Sequence, residues 1–244
     1  MCRHLAHLGS DVTLEELLLT PEHGLLRQSY APRRQAHGLM NADGFGVGWY
    51  DPARPEPARY RRATPMWGDP ALASMAGVIR SRCVLAAVRS ATAGGPRDET
   101  AAAPFLLDGT VLLSHNGRVR VDAVAPLVDP AALAAVGSTV DSAYVAALVT
   151  QRLGAGLAAS IASVVREVGG RDPQARLNLL ATDGRAIVAT TWGDTLVTRQ
   201  TGTDVLVASE PGDDRDGWQV VPEHTLVTVD THVDGGLTLT LENL

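Results

Sequence analysis

The chain has 244 residues, of which 45% are hydrophobic and 20% charged, and its formal net charge is −6. This composition predicts a soluble globular protein with a sizeable core. No basic run or patch interleaved with aromatic residues indicates a nucleic-acid partner. No stretch of about 18 consecutive apolar residues predicts a membrane span. Two cysteines without a secretory signal are typical of the reducing cytoplasm. Since no repeat or linker divides the chain, we expect residues 1–244 to form a single domain.

A cysteine directly after the initiator methionine is the feature around which the chain is organised. Once Met1 is removed, Cys2 carries both a thiol and a free α-amine. The reference pKa is about 7.7–8.0 for the amine and about 8.5 for the thiol, so the amine can accept the thiol's proton near neutral pH. A nucleophile and its general base then share one residue. We therefore expect the mature protein to lack Met1 and Cys2 to be a catalytic nucleophile.

Other interpretations of Cys2 are chance occurrence, lipidation and metal binding. A lipidated cysteine would follow a charged and then an apolar segment, and neither precedes Cys2. His4 and His7 are near in sequence, but in a strand His7 would face away from Cys2 and His4. Zinc needs three or four ligands around one point. Chance occurrence stays open at this stage.

In the first quarter of the chain, residues 3–9 read as a short opening strand. The spacing of Thr13 and Glu16 is that of a capping box, so a short helix is predicted to begin there. The polar, irregular stretch His23–Gly38 is interpreted as a loop beside the active site. Residues 51–64 are rich in proline and arginine and are predicted to form a surface excursion.

Three glycines at positions 44, 46 and 48 alternate with Phe45, Val47 and Trp49. In a strand, this pattern leaves one face apolar and the other almost bare backbone. Close packing against another sheet or a ligand would explain the bare face. A phosphate-binding loop would instead open a helix, so the pattern does not favour nucleotide binding.

Two short apolar runs, residues 83–88 and 109–113, are predicted to be buried strands. The first ends at Arg89, which is either a surface arginine or a binding group. The second ends at Ser114-His115-Asn116-Gly117. The pair Asn116-Gly117 is either a turn or a source of donors for an oxyanion hole.

Two helices are predicted next, from Asp141 to Leu153 and from Leu157 to Val168, the second ending at Gly169-Gly170. Asp141 in the first turn is either a capping carboxylate or a ligand-binding group. Short strands separated by turns then follow. They cover Leu177–Ala181, Ala186–Trp192, Thr195–Arg199, Val205–Ala208, Trp218–Val221 and Thr225–Val229. Strands at both ends with helices between them predict an α+β fold.

Five short segments, in this order along the chain, resemble the motifs of the class II glutamine amidotransferases, a family of N-terminal nucleophile hydrolases. They are Met1-Cys2, Asp43-Gly44-Phe45-Gly46, Arg89-Ser90-Ala91-Thr92, His115-Asn116-Gly117 and Asp141-Ser142. The resemblance implies a four-layer αββα sandwich that cleaves a γ-glutamyl amide through a thioester. It implies a small-molecule γ-glutamyl substrate and calls for neither a cofactor nor a metal.

The resemblance also implies catalytic roles. Cys2 would be the nucleophile and its α-amine the base. The side chain of Asn116 and the backbone N–H of Gly117 would bind the oxyanion.

The substrate-binding residues follow from the same resemblance. Arg89, helped by Thr92, would bind the glutamyl α-carboxylate, and Asp141 would bind the α-ammonium group. A planar guanidinium suits a carboxylate, and a carboxylate suits an ammonium group.

Two positions depart from the family pattern. Ala103 stands where many relatives have a histidine before Pro-Phe, and Asn41 begins the motif that commonly begins with histidine. Both changes argue against ordinary glutamine specificity.

Within the family, the chain most resembles the γ-glutamyl hydrolases of ergothioneine biosynthesis, which remove glutamate from γ-glutamyl hercynylcysteine sulfoxide. The stretches that carry this resemblance are residues 1–5, 41–50, 89–92, 179–184 and 208–211. A glutaminase subunit that supplies ammonia to a separate synthase and an inactive scaffold of the same fold are the alternatives. The oligomeric state, including a homo-oligomer, is left open.

Overall fold

The structure is a computed structural model that describes residues 2–91, 95–232 and 235–244. It contains two sheets in which all the strand pairs are antiparallel. The strands are β1 (Arg3–Thr13), β2 (Phe45–Trp49), β3 (Ala58–Arg62), β4 (Arg80–Val88), β5 (Phe105–Leu107), β6 (Val111–Arg118), β7 (Arg176–Thr182), β8 (Ala186–Thr191), β9 (Val197–Thr201), β10 (Asp204–Ala208), β11 (Gln219–Val220), β12 (Thr225–Thr231) and β13 (Leu237–Asn243). One sheet has the order β11-β9-β10-β1-β4-β2-β3 and the other β13-β12-β8-β7-β6-β5. The strand that follows Cys2 is therefore the central one of seven.

The helices lie mainly between the strands in sequence. They are α1 (Leu25–Tyr30), α2 (Pro70–Ala76), α3 (Val121–Val124), α4 (Pro130–Val136), α5 (Asp141–Thr150) and α6 (Leu157–Arg171). Short helical turns occur at Glu15–Leu19, Met66–Gly68, Glu99–Ala101, Ala125–Leu127 and Leu153–Ala155. Among the described helices, none is by itself long and apolar enough to cross a membrane. Only α4 and α5 together meet that criterion, and they are bent by 113°.

An apolar layer joins the two sheets face to face. Leu85 of β4 and Val207 of β10 project from the seven-stranded sheet into the same cluster as Leu112 of β6 and Leu180 of β7. All four side chains are fully buried. Alternation along the strands directs every second residue into this layer.

Helices cover the outer face of each sheet. Leu25 of α1 and Leu72 of α2 belong to the core on the outer side of the seven-stranded sheet. Leu148 of α5 and Val165 of α6 belong to the core on the outer side of the six-stranded sheet. The order of layers is α, β, β, α, which confirms the predicted four-layer αββα sandwich and its α+β class.

The capping box is confirmed. The Thr13 hydroxyl and backbone N–H donate to the Glu16 carboxylate at 2.8 and 2.9 Å, and Glu16 N–H donates to Thr13 Oγ1 at 3.0 Å. This reciprocal pair satisfies donors that a helix start would otherwise leave free. It turns the chain out of β1 into the helical turn Glu15–Leu19. The opening strand extends to Thr13, further than the predicted residue 9.

The bare face of β2 packs against the second sheet, as the glycine pattern predicts. A Cβ atom on Gly46 would lie 2.2 Å from the Ala103 carbonyl oxygen. On Gly48 it would lie 2.5 Å from Leu112 Cδ1. Any side chain at either position would push the two sheets apart.

Two predicted loops contain regular structure. The stretch His23–Gly38 includes α1, because Leu25 is buried under the seven-stranded sheet. The stretch 51–64 includes β3, in which Tyr60 packs against Phe45 with the ring centroids 6.0 Å apart. The sequence pattern also does not predict β13, whose residues lie at an exposed sheet edge.

Two predicted helix ends are wrong. The helix α5 stops at Thr150, before Leu153. The helix α6 continues through Gly169-Gly170 to Arg171. Gly169 serves packing and not termination, because a Cβ atom there would lie 2.4 Å from a ring carbon of Trp192.

Candidate active site

Cys2 lies immediately before β1 and is half-buried. Its backbone nitrogen donates to Asn116 Oδ1 at 3.1 Å. Cys2 directly precedes β1, the central strand of the seven-stranded sheet, whereas Asn116 belongs to β6 of the other sheet. The contact therefore connects the two sheets at one end of the layer between them.

Asn116 is fully buried and has one side-chain group without a partner. Its oxygen accepts the bond from Cys2, so its amide nitrogen is left as a donor. Nδ2 has no hydrogen-bond partner in the described part of the chain. A buried donor without a partner costs about 1–3 kcal/mol, so a group in this state favours an incoming acceptor. The pair Asn116-Gly117 lies within β6, opposite Asn178 and Leu177, and is not a turn.

The backbone N–H of Gly117 is not used by the neighbouring strand β7. Its register partner Leu177 donates its N–H to Trp192 O at 2.8 Å, and its carbonyl accepts from Thr190 Oγ1. Both backbone groups of Leu177 thus point towards β8. In an antiparallel pair the opposing residue then points its own N–H and C=O the other way. The Gly117 N–H therefore faces the β5 side of β6. At this position it has no partner among the described strands, because β5 pairs only with Val111–Leu113.

Arg89 lies directly after β4 and is 8% exposed. Its guanidinium donates to the carbonyl oxygens of Asp43 at 3.2 Å and Pro96 at 2.8 Å. Asp43 also holds this segment through its carboxylate, which accepts from Ala91 N–H at 2.8 Å. Asp43 belongs to one of the family motifs, but the motif alone assigns it no role. The bonds fix the orientation of Arg89 and leave further N–H groups free to bind a ligand.

Asp141 is the first residue of α5 and is half-buried. Its carboxylate accepts from Val119 N–H at 3.1 Å and from Ser142 N–H at 2.9 Å. Asp141 thus joins the helix to the segment that follows Gly117.

One cavity of about 500 Å³ brings most of these residues together. Its lining includes Cys2, Arg89, Gly117 and Asp141. Ala103 also lines it, so the histidine missing at this position leaves space in the cavity itself. Thr92, the remaining predicted binding residue, lies outside the described residues.

His4 occupies the layer between the sheets, next to Cys2. Its Nδ1 lies 3.2 Å from Ser114 Oγ, and its ring is completely buried. Burial, Arg3 and His115 together lower the pKa of His4 to about 3. The ring is therefore neutral at physiological pH. His7 faces the other side of β1 and contacts Asp204 at 3.2 Å, as alternation predicts.

The other cysteine, Cys83, lies in the middle of β4 and is 1% exposed. Its Sγ lies 3.1 Å from Thr182 Oγ1. Burial raises the pKa of Cys83 to about 12. Its thiol therefore stays protonated at neutral pH.

The loop after α1 is joined to the turn after β10. The buried carboxylate of Glu210 accepts from the backbone N–H groups of Arg33 at 2.8 Å and Arg34 at 2.5 Å. Further along the loop, Gln35 Oε1 accepts from Asn41 Nδ2 at 2.9 Å and from Arg3 Nε at 3.3 Å. The loop is thus fixed beside the residue that follows Cys2, and Asn41 supports it from a fully buried position.

Metal-type side chains within the described ranges come together at Glu22, His23 and Asp214. Arg33 also contacts Asp214, at 2.6 Å, so the Asp214 carboxylate has a positively charged partner without a metal ion. None of these residues lines the Cys2 cavity.

A four-layer αββα sandwich with a cysteine at the start of its central strand, facing the second sheet, defines an N-terminal nucleophile hydrolase fold. The family model for class II glutamine amidotransferases matches residues 25–211. The chain therefore belongs to the class II glutamine amidotransferase family.

Relatives of similar length carry a more particular name. A gamma-glutamyl-hercynylcysteine sulfoxide hydrolase of Mycolicibacterium smegmatis is 53% identical over 237 residues, which cover 96% of this chain and 98% of the relative. A protein of the same name from Mycobacterium tuberculosis is 50% identical over 240 residues, covering 98% and 96%.

Solved structures share the fold at low sequence identity. A glutamine aminotransferase class-II domain protein from Silicibacter pomeroyi has a TM-score of 0.70 at 21% identity, with full coverage of both chains. The glutamine phosphoribosylpyrophosphate amidotransferase of B. subtilis has a TM-score of 0.67 at 14% identity, covering 98% of this chain and 49% of that one.

Proposed function

We propose that the protein hydrolyses the γ-glutamyl amide of γ-glutamyl hercynylcysteine sulfoxide, releasing glutamate and hercynylcysteine sulfoxide, through a thioester on Cys2. The substrate is the one in the name of relatives 50–53% identical over nearly the whole chain. The observation that carries the chemistry is the single cavity lined by Cys2, Arg89, Gly117 and Asp141.

The reaction begins when Met1 has been removed and the α-amine of Cys2 is free. The amine accepts the thiol proton while Sγ attacks the γ-carbonyl carbon. Charge develops on the carbonyl oxygen, and the unpartnered Nδ2 of Asn116 and the N–H of Gly117 are the donors available to it. The hydrogen bond from the Cys2 nitrogen to Asn116 Oδ1 holds the base against the oxyanion donor.

The proton on the amine then passes to the leaving nitrogen, and the C–N bond breaks. A water molecule adds to the thioester and gives one proton to the α-amine. The C–S bond then breaks, the amine returns that proton to Sγ, and glutamate is released. Through both steps Arg89 binds the α-carboxylate of the glutamyl group and Asp141 binds its α-ammonium group. Thr92 is proposed to assist Arg89.

The acyl half of the substrate is fixed by these charges, so discrimination falls on the leaving group. The segments His23–His37 and Ser209–Pro211, which we expect to bind it, meet through Glu210. Ala103 leaves the cavity wider than a histidine would. Free glutamine releases only ammonia and forfeits these contacts.

The decisive experiment compares kcat/KM for γ-glutamyl hercynylcysteine sulfoxide and for glutamine. We expect the former to be at least about 100-fold higher, roughly 2.7 kcal/mol of transition-state binding. A mass spectrum of the intact protein during turnover should contain the Cys2 thioester. Comparable values for both substrates would favour the alternative function, a glutaminase subunit that supplies ammonia to a synthase. No thioester and no turnover would favour the inactive scaffold.

Removal of Met1 can be tested separately, because the chain contains no lysine. The α-amine is then its only primary amine, so an amine-reactive ester labels the N-terminal residue alone. The mass of the labelled peptide shows whether that residue is Met1 or Cys2. Protein that retains Met1 should be inactive, because its Cys2 nitrogen is an amide and accepts no proton. Full activity with Met1 retained would contradict the mechanism.

We infer that the enzyme acts in the cytoplasm as one domain, where its two unpaired cysteines stay reduced.

A further inference from the structure

Two of the arginines that line the cavity around Cys2, Arg89 and Arg118, have no ion pair with any described carboxylate. Arg118, the last residue of β6, lines the cavity, and its guanidinium has no hydrogen bond or ion pair with any described residue. Arg120 also lines the cavity, but its Nε donates to Asp122 at 3.1 Å. Arg118 and Arg120 are close in sequence and differ in having a carboxylate partner.

The charges of the glutamyl group do not account for Arg118. In the proposed function, the α-carboxylate of the glutamyl group binds Arg89 and the α-ammonium group binds Asp141. Arg120 and Asp122 neutralise each other. One positive charge, that of Arg118, is left for a part of the substrate beyond the glutamyl group.

The neighbouring strand adds a second positive charge. Arg118 lies directly opposite Arg176 of β7, and alternation places both on the face of the sheet that is turned towards the other sheet. They lie at the open end of the layer, where Arg118 is exposed and Arg176 is half-buried. Like charges directly opposite each other are destabilising. The buried carboxylate of Asp194 lies 3.4 Å from Arg176 Nε, so Arg176 has an anionic partner. Arg118 has none, and an anion beside it would relieve the repulsion.

The position of Arg118 relative to the oxyanion donor fits a group next to the scissile bond. It follows Asn116 by two residues on the same face of β6, about 7 Å further along the strand. A guanidinium fork matches the geometry of a carboxylate. When the leaving group is an amino acid, its α-carboxylate is attached to the carbon that bears the scissile nitrogen.

We infer that Arg118 binds the α-carboxylate of the leaving amino acid and so selects γ-glutamyl amino acids over glutamine. The inference rests on the proposed function, in which the leaving group is an amino acid. Ammonia, the leaving group of glutamine, has no carboxylate to offer.

The test uses γ-glutamyl hercynylcysteine sulfoxide and a matched analogue in which hydrogen replaces the cysteinyl carboxylate. In Arg118→Ala and Arg118→Gln, kcat/KM for the natural substrate should fall about 10- to 100-fold, the range for a lost hydrogen-bonded charge. For the analogue it should change less than about 2-fold, as it should for glutamine. Arg118→Lys should restore part of the preference, and Arg120→Ala should keep it.

Equal losses on both substrates in the Arg118 variants, or no loss on either, would overturn the inference. Folding is checked by melting temperature, which should not fall, because removing Arg118 removes a charge facing Arg176. Failure of the proposed function has a different signature. The wild-type protein would then hydrolyse neither γ-glutamyl hercynylcysteine sulfoxide nor its analogue faster than glutamine, and the inference would fail with it.

Discussion

The layer between the two sheets has a polar end and an apolar middle, and each contains one cysteine. At the polar end, Cys2 contacts Asn116 and borders a cavity. In the middle, Cys83 belongs to a mostly aliphatic buried cluster, and burial raises the pKa of its thiol to about 12. The same functional group is thus placed for reaction at one point and kept protonated at the other.

The difference indicates that position relative to a strand sets the surroundings of a cysteine in this fold. A thiol reacts as a thiolate, so it needs a base and access to the substrate. In the proposed mechanism Cys2 has both, because removal of Met1 frees its α-amine and because the residue lines the cavity. Cys83 has neither, since strands flank it on both sides and the second sheet covers it.

The largest expected effect comes from replacing each cysteine. Cys2→Ala should lower kcat by at least about 10⁴-fold, because loss of a nucleophile removes the covalent route. Cys2→Ser should leave at most a trace, since the α-amine is too weak a base to ionise a hydroxyl. Steady-state turnover of the γ-glutamyl substrate measures both. The Cys83→Ser variant should keep the turnover of the wild-type protein. Equal loss of turnover in the folded Cys2 and Cys83 variants would contradict Cys2 as the sole nucleophile.

The partners of the two thiols should differ in the same way, with a smaller effect. Asn116→Ala should lower kcat about 10²–10³-fold with little change in substrate binding, because one oxyanion donor is lost. Thr182→Val, at the partner of Cys83, should leave kcat unchanged and reduce only stability. Initial rates at saturating and at limiting substrate concentrations separate the effect on kcat from the effect on KM. A pure KM effect would assign Asn116 to substrate positioning.

How much of this could be predicted from the sequence depends on the range of the interactions involved. The capping box of Thr13 and Glu16 is local, and the structure confirms it. The bare face of β2 was readable because alternation is a local property. In contrast, the continuation of α6 through Gly169 depends on Trp192, which is distant in sequence.

The site residues also differ in whether a local sequence motif could identify them. Cys2, Arg89 and Asp141 could be proposed from motifs, and they line one cavity. Arg118 was not singled out, because its significance lies in a missing partner and in its neighbour Arg176 across the strands. No spacing in the sequence reports either fact.

A still smaller effect should mark the boundary between the polar end and the apolar middle, where His4 is buried. The pKa of His4 is lowered to about 3 when folded, against about 6.5 in the unfolded chain, so the unfolded state binds its proton first. Stability should therefore be full above pH 6.5 and fall as the pH drops towards 3. Between pH 7.5 and 5 the loss from this residue is about 2 kcal/mol.

Urea unfolding of the wild type and of His4→Gln at the two pH values measures that loss. The variant should lose less stability on acidification than the wild type. The same pH dependence in both proteins would show that His4 is not responsible.

The smallest effect is expected for the stability of Cys83→Ser. The hydroxyl can still bond to Thr182, so the cost should be about 1 kcal/mol or somewhat more, for burying a more polar group. Thermal unfolding should show a fall of a few degrees. An unchanged melting temperature would mean that the middle of the layer tolerates polar groups as well as the Cys2 end does.

The bare glycine face of β2 also sets a dimension of the catalytic machinery. The proposed nucleophile, Cys2, directly precedes the central strand of one sheet, and the proposed oxyanion donor, Asn116, lies in the other sheet. In the proposed mechanism, the spacing of the sheets is therefore also the spacing of the reacting groups. Gly46 lets β2 touch the backbone at Ala103, and β2 is joined through β4 to the strand that begins after Cys2. Gly46 thereby limits the distance between the two sheets. A methyl group added at this position would increase the distance between Cys2 and Asn116.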